Sequence, residues 1–251
     1  MKAVILAAGY GTRLQRDVVA DSSGRFAHLV GTAKPLLPVG RRALVSHWVR
    51  ALTGSRCVDC VYVVTNGVHL AAFEEWASRY TNVHVVSDQT RSNDGRLGAV
   101  GCLQLAVKHF NIEDHVLVIG GDTLFKEDFS LSKVKERFSE LQAKSESSCL
   151  VLSYQCKEEE TQKYGILEVG SDLRVLCMKE KPLPSETKSR SAEAPIEEKD
   201  APGNFVSWLI PREPVFTHQI AGRFDVGNLP SYIECDLYFR EKLQDVGSYM
   251  V

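Results

Sequence analysis

The sequence predicts an α/β protein built on an open, mostly parallel sheet flanked by helices, with a smaller β-rich extension in its second half. In the first half, short β-rich runs alternate with segments of helical spacing, the βαβα order of a parallel sheet. The run His115–Ile119 is almost unbroken in its apolar character, as expected of a strand covered on both faces. Past residue 145, strand-like runs follow one another with fewer helical patterns between them.

Taken in order, Lys2–Leu6 is predicted as the first strand. Gln15–Ala33 is polar, with Asp21-Ser22-Ser23-Gly24 at its centre, and is predicted as a long loop. Leu44–Thr53 has helical spacing, with Leu44, Val45, Trp48, Val49 and Leu52 on one face. Cys60–Thr65 is predicted as a strand, His69–Tyr80 as a helix and Val83–Val86 as a short strand. Leu97–His109 is predicted as a helix with Leu97, Val100, Leu103 and Val107 as its apolar stripe. The strand His115–Ile119 and the amphipathic helix Leu131–Ala143 follow. Ser148–Gln155, Gly165–Val169, Val175–Lys179 and Phe205–Ile210 are strand-like. Leu229–Leu243 is a closing helix with Pro230 near its start. Pro184–Pro202 carries eight charged residues, no aromatic residue and one Ile, too little apolar surface to order itself, and is predicted as a mobile surface loop. The expectation is one domain over residues 1–251, with halves 1–145 and 146–251.

The 251 residues suffice to bury a sizeable core. Apolar residues at 44% and charged residues at 25% are the balance of a soluble globular protein. The formal charge of −2, with no basic run, argues against a dedicated nucleic-acid or anionic-membrane binder. No apolar stretch approaches the roughly 20 residues that span a bilayer. Met1–Leu6 is too short for a signal-peptide core, so a cytoplasmic location is expected. The seven cysteines are expected to be free, mostly buried thiols. Cys57-Val58-Asp59-Cys60 lacks the second ligand pair of a zinc knuckle. It also leads into a strand rather than the helix a redox pair usually opens, so it too reads as packed thiols.

The segment Leu6-Ala7-Ala8-Gly9-Tyr10-Gly11-Thr12-Arg13-Leu14 leaves the first strand where parallel sheets bind ligands. Gly9 and Gly11 would let the backbone approach a phosphate, and Arg13 would add a bidentate cation. Without a glycine at position 14 it is not a dinucleotide fingerprint. Without a following Gly-Lys-Ser/Thr it is not a P-loop. Taken alone, a tight strand-to-loop turn explains it equally well.

Further segments change that weighting. They are Lys34-Pro35-Leu36-Leu37-Pro38-Val39-Gly40, Gly120-Gly121-Asp122-Thr123-Leu124-Phe125, Lys163-Tyr164-Gly165-Ile166-Leu167-Glu168-Val169, Lys179-Glu180-Lys181-Pro182 and Phe224-Asp225-Val226-Gly227-Asn228-Leu229-Pro230-Ser231-Tyr232. Together with the Gly-rich loop, and in this order, they resemble the signature of the sugar-1-phosphate nucleotidyltransferases, including their GGD, YGV, EKP and DIGTPEDY segments. That family includes glucose-1-phosphate thymidylyltransferase and UTP–glucose-1-phosphate uridylyltransferase. The resemblance covers nearly the whole chain.

The resemblance implies the nucleotide-diphospho-sugar transferase fold, a Rossmann-like sheet with a smaller sugar-binding extension. Residues 1–145 would form the nucleotide-binding half and 146–251 the sugar-phosphate-binding half. It implies Mg²⁺-dependent condensation of an NTP with a sugar-1-phosphate, releasing pyrophosphate. The attacking phosphate is already anionic, so the demands are positioning and charge neutralisation. The implied catalytic residues are Arg13, Lys34 and Lys181. The implied nucleotide contacts are Leu6, Ala8, Gly9, Gly11, Thr12, Gln89 and Gly98. Tyr164, Gly165 and Glu180 would hold the sugar, and Asp122 and Asp225 the metal. Read as residues alone, Asp122 and Asp225 could also be turn formers, and Lys179 and Lys181 a solvated edge. Glu168 is expected to face solvent.

The chain departs from the family pattern in three places. The segment between Leu14 and Lys34 is longer than usual and lacks the typical Pro-Leu-Thr. Gln89 and Gly95-Arg96-Leu97-Gly98-Ala99-Val100 match the base-reading region loosely. Asn204-Phe205-Val206-Ser207-Trp208 stands where a Gly-Ile-Tyr strand is usual. The expected partners are an NTP and a sugar-1-phosphate, with no nucleic acid or membrane, on a monomer or homodimer. The rival functions are cytidylyl transfer to a non-sugar phosphate such as phosphocholine, a catalytically inactive regulatory homologue, and a dinucleotide-binding oxidoreductase. The missing third glycine and the GGD and EKP segments argue against the last.

Overall fold

The computed structural model describes residues 1–126, 129–183, 185–189, 191–193 and 202–248. The chain forms two compact units. The first comprises residues 1–97, 101–124 and the chain from 224 onward; the second comprises 98–100 and 125–223. The division therefore does not follow the halves expected at 145/146. Residues 125–145 belong with the second unit, and the C-terminal segment returns to the first.

In the first unit, β1 (Lys2–Leu6) leads through the Gly-rich loop into α1 (Thr12–Ala20). A small hairpin, β2 (Pro38–Val39) with β3 (Arg42–Ala43), precedes α2 (Leu44–Ser55). Then come β4 (Val61–Thr65), α3 (Leu70–Ala77), β5 (Val83–Ser87), α4 (Gly98–His109), β6 (Val116–Gly120) and β7 (Thr123–Phe125). The sheet has the order β5-β4-β1-β6, and every pairing in it is parallel. This is the fold class that the alternating pattern predicts. The five apolar residues predicted for the face of α2 are all buried.

Three expectations fail here, each for a packing reason. The polar stretch Gln15–Ala33 is not one long loop, because it begins inside α1, where only Leu14 and Val18, four residues apart, face inward. Its remainder includes a 3₁₀ turn at Ala27–Leu29 and is pinned by Gln15. The Gln15 amide donates to the Leu29 and Thr32 carbonyls and accepts from Gly31 N–H, so one side chain satisfies three loop backbone groups. In α4, Leu97 and Val100 are exposed, while the small Cys102 and Ala106 are buried against Val4, Val64 and Val86, with Leu103 and Leu105 beside them. Finally, β6 lies at the end of the sheet order, and its residues Val116–Val118 are only half-buried.

The second unit contains α5 (Leu131–Gln142), β8 (Cys149–Gln155), β9 (Gly165–Val169), β10 (Val175–Glu180), β11 (Ser191–Glu193), α6 (Pro202–Leu209) and β12 (Val215–Gln219). Its sheet order is β10-β9-β11-β8-β12, antiparallel except for β12 on β8. The predicted loop over 184–202 is corrected here, since it supplies β11. Ser191 lies opposite both Gln155 and Leu167, and Ala192 opposite both Tyr154 and Ile166. Pro184, Arg190 and residues 194–201 of that expected loop lie outside the described residues. The predicted strand Phe205–Ile210 is helical instead. Its aromatic and β-branched composition mimics a strand, but Val206, Leu209 and Ile210 share one helix face. Leu209 and Ile210 pack on Leu167, Val175 and Val215.

The chain re-enters the first unit through β13 (Arg223–Asp225), which pairs with β7, and ends its described course in α7 (Leu229–Ser248). There Tyr232 Oη donates to the Pro38 carbonyl at 2.7 Å, and Asp236 accepts from Gly40 N–H at 2.8 Å. The seven cysteines are free thiols, and Cys57, Cys102, Cys156 and Cys235 are buried. Among the described residues no helix is long and apolar enough to cross a membrane.

Candidate active site

The C-terminal edge of β1 carries the site in the first unit. Gly11 adopts the left-handed conformation, φ 62°, as the N-cap of α1. A Cβ there would lie 3.1 Å from Lys34 Cγ, so glycine gives the lysine stem room to pass. Gly121 makes a closer approach still. Its N–H donates to the Leu6 carbonyl at 2.8 Å, and a Cβ would lie 2.8 Å from that oxygen and 2.9 Å from Pro35 Cγ.

These contacts bring Lys34 and Asp122 together. Lys34 opens a 3₁₀ turn stiffened by Pro35, and its Nζ donates to Asp122 Oδ2 at 3.2 Å with both side chains buried. Such a pair is costly to desolvate and gains its hold from close geometry. The next residues fix the carboxylate in place. The Asp122 carbonyl accepts from Val226 N–H at 3.0 Å, and Trp48 Nε1 donates to the Thr123 carbonyl at 2.6 Å. The Val226 bond also places Asp225, exposed at the end of β13, beside the turn that carries Asp122. A Cβ at Gly227 would lie 3.5 Å from Asp225 Oδ1 and 3.9 Å from Arg13 Nη2, so the carboxylate and the guanidinium border the same glycine.

The first unit thus gathers Arg13, Lys34, Asp122 and Asp225 around a Gly-rich loop that also holds Leu6, Ala8, Gly9, Gly11 and Thr12. Gln89, exposed just after β5, has a positive φ of 65° and donates its N–H to Ser87 Oγ. Gly98, φ 79°, opens α4 and falls in the second unit. Among the described residues no group of three or more His, Cys, Asp or Glu side chains forms a metal cluster. Two hard carboxylates, Asp122 in the turn before β7 and Asp225 at the end of β13, are the donor type that Mg²⁺ takes, since it binds one or two carboxylates and completes its shell with phosphate oxygens and water.

In the second unit Tyr164 directly precedes β9, Gly165 begins it, and Glu180, ending β10, lies opposite Gly165. Lys181 N–H donates to the Tyr164 carbonyl at 2.9 Å, with φ 48° at the exposed lysine. The residues expected to hold the sugar therefore cluster at one end of the β9–β10 pair. Two neighbours were not singled out from the sequence. The Arg223 guanidinium lies 5.3 Å from the Tyr164 ring centroid and 6.0 Å from that of Tyr154. Burial pushes the Tyr154 phenol well above its ordinary value. Arg223 directly precedes the Phe224-Asp225 motif, the one sequence signal that could have drawn attention to it. Glu168, expected in solvent, is partly exposed and paired with Lys179 at 2.9 Å. A cavity of about 760 Å³ in this unit is lined by Ser153, Thr187, Ser189, Thr217 and Gln219 among others, and by none of Tyr164, Gly165 or Glu180.

Residues 2–195 match the family described as nucleotidyl transferase. Among curated relatives, the bifunctional protein GlmU of Methanococcus maripaludis is 25% identical over 196 residues, covering 78% of this chain and 39% of the relative. The mannose-1-phosphate guanyltransferase of Pichia angusta is 27% identical over 176 residues, covering 69% and 42%. The chain thus spans about two-fifths of the length of these relatives. Among solved structures, UDP-glucose pyrophosphorylase from Acinetobacter baumanii superposes with a TM-score of 0.71 at 16% identity, covering 100% of this chain and 99% of that one. A putative glucose-1-phosphate thymidylyltransferase from Bacillus anthracis gives a TM-score of 0.71 at 20% identity, covering 96% of each chain.

Proposed function

Because the chain belongs to the nucleotidyl transferase family, we propose that it condenses an NTP with a sugar-1-phosphate to give an NDP-sugar and pyrophosphate. The observation that best supports this is the buried Lys34–Asp122 pair beside the Gly-rich loop, a cation and a carboxylate held where a polyphosphate needs both. A phosphate oxygen of the sugar-1-phosphate attacks the α-phosphorus and forms a new P–O bond. The bond from that phosphorus to the bridging oxygen breaks, and pyrophosphate leaves with the electron pair. The nucleophile is already ionised, so no side chain has to remove a proton, and the protein's task is alignment and neutralisation.

In this reading Arg13 grips the triphosphate, and Lys34 moves its charge onto oxygens near the reacting phosphorus. Asp122 and Asp225 would hold Mg²⁺, which when bound supplies positive charge to the phosphate oxygens. Lys181 meets the phosphate of the incoming sugar, while Glu180 and the backbone of Gly165 hold sugar hydroxyls. Gln89 reads the base. The test is pyrophosphate release from a panel of UTP, dTTP, CTP, GTP and ATP, each with a set of sugar-1-phosphates and with phosphocholine, in the presence of Mg²⁺. Release with at least one pair is expected. Release with CTP and phosphocholine alone would move the acceptor outside the sugars, and no release with any pair would overturn the proposal.

A further inference from the structure

Tyr10 sits between the two glycines of the phosphate loop, and its hydroxyl reaches out of that loop to Thr90 Oγ1 at 2.8 Å. Thr90 Oγ1 in turn donates to Asp88 Oδ1 at 2.7 Å, and Thr90 N–H donates to the same oxygen at 2.8 Å. Proton accounting sets the direction of the chain. A carboxylate only accepts, and Thr90 has one hydroxyl proton, already given to Asp88, so Tyr10 O–H is the donor to Thr90. Asp88 is buried, so the carboxylate end of this chain is shielded from water, while Tyr10 and Thr90 are half-buried.

Two further bonds complete a closed circuit among three loops. Asn66 Nδ2 donates to the Ala8 carbonyl at 3.0 Å, and Gly67 N–H donates to the Thr90 carbonyl at 2.8 Å. The loops that follow β1, β4 and β5 are thus stitched pairwise at the C-terminal edge of one parallel sheet. The first loop carries Gly9, Gly11 and Arg13. The third carries Gln89, which lies between Asp88 and Thr90 and is held at a positive φ.

We propose that Tyr10 and Thr90 are positioning residues for the nucleotide: their hydroxyl contact sets the separation between the phosphate-gripping loop and the base-reading loop. This inference rests on the function proposed above. The latch spares the NTP the cost of ordering two loops as it binds. It acts on the nucleotide alone and is made before any chemistry, so its loss should appear in nucleotide affinity rather than in turnover.

The experiment uses the full chain with Tyr10→Phe, Thr90→Val, the double variant and Thr90→Ser. NTP affinity is measured by titration calorimetry with UTP, dTTP, CTP, GTP and ATP, and kinetics with each substrate varied in turn. Tyr10→Phe and Thr90→Val are expected to weaken NTP binding and raise the NTP KM by about 3- to 10-fold, the range of one net hydrogen bond. The sugar-1-phosphate KM should stay within about twofold. Both single variants remove the Tyr10–Thr90 contact, and Thr90→Val also removes the hydroxyl bond to Asp88, so the double variant should be no worse than Thr90→Val alone, and Thr90→Ser should bind as wild type. Unchanged NTP affinity in Tyr10→Phe, or additive losses in the double variant, would overturn the inference. If wild type binds an NTP but releases no pyrophosphate, the proposed reaction fails while calorimetry still decides the latch. If wild type binds no NTP, both fail.

Discussion

Lys34 and Asp122, 88 residues apart in the chain, form a 3.2 Å ion pair in which the side chains are only 8% and 5% exposed. A pair so far from water is held by its surroundings: Gly11 gives Lys34 passage, Gly121 lets the Asp122 strand approach Leu6, and Trp48 anchors the next carbonyl. Truncating one partner removes a close counterion from a charge that stays buried. Lys34→Ala and Asp122→Ala should each cost about 3–5 kcal/mol of stability, whereas Lys34→Met with Asp122→Leu should recover most of it without restoring activity. Denaturant titration of the three variants checks this; a double variant less stable than either single one would show that the pair is net stabilising.

The two carboxylates should also be separable from the fold by their effect on turnover. Asp122→Asn or Asp225→Asn is expected to lower kcat by on the order of 10²-fold or more, since phosphate repulsion then goes uncompensated. Turnover that persists in excess EDTA, or an unimpaired double variant, would remove the metal from the scheme.

The two lysines should fail in different ways. In the proposed scheme Lys181 contacts the sugar-1-phosphate before and during reaction, so Lys181→Ala should raise KM for that substrate more than for the NTP. The same scheme puts Lys34 at the reacting phosphorus, so Lys34→Ala should mainly lower kcat, by on the order of 10²–10³-fold. Steady-state kinetics with each substrate varied decides it, and an unchanged sugar-1-phosphate KM in Lys181→Ala would refute the assignment.

The strand β11 makes a stability prediction that a surface loop would not. Ala192 lies in the middle of the second sheet, opposite residues of two neighbouring strands. Ala192→Pro removes an N–H from that ladder and should cost about 3 kcal/mol, or about 6–12 °C in Tm. A calorimetric scan with unchanged Tm would return the segment to the surface.

His47 links stability to pH. Its Nε2 lies 3.0 Å from the Val39 carbonyl, its ring packs 4.6 Å from that of Phe239, and burial lowers its pKa below 6.5. As pH falls through 6.5 the unfolded chain takes up the proton first. Stability is therefore full above 6.5 and is lost as pH falls toward the lower folded value, by at most about 1.4 kcal/mol per pH unit. His69 and His218 shift the same way, so a His47→Gln variant reads out one share of the slope. Its Tm should fall less than wild type between pH 7.5 and 5.5, and an identical slope would acquit His47.

What the sequence determined by itself was whatever local pattern or fixed spacing encodes. The parallel sheet of the first unit was legible because each buried strand reads as a short apolar run and α2 repeats its apolar residues at helical spacing. The candidate site residues stood out because ordered short segments of Gly, Arg, Lys and Asp resemble those of a known family, and the first unit brings Arg13, Lys34, Asp122 and Asp225 near its Gly-rich loop. Only the tertiary structure decided the rest. Ser191–Glu193 has no apolar alternation, because its place in the sheet comes from backbone pairing on both sides rather than from its side chains. Phe205–Ile210 reads as a strand by composition and becomes a helix because Val206, Leu209 and Ile210 have an apolar surface to bury against. Cys102 and Ala106 displace Leu97 and Val100 from the core because small residues let a helix lie close to a sheet. Tyr10 lies inside the Gly-rich segment but carried no signal of its own there, and Thr90 and Asp88 belong to no motif. Their hydroxyl chain exists only because parallel strands adjacent in space bring together loops 80 residues apart in sequence.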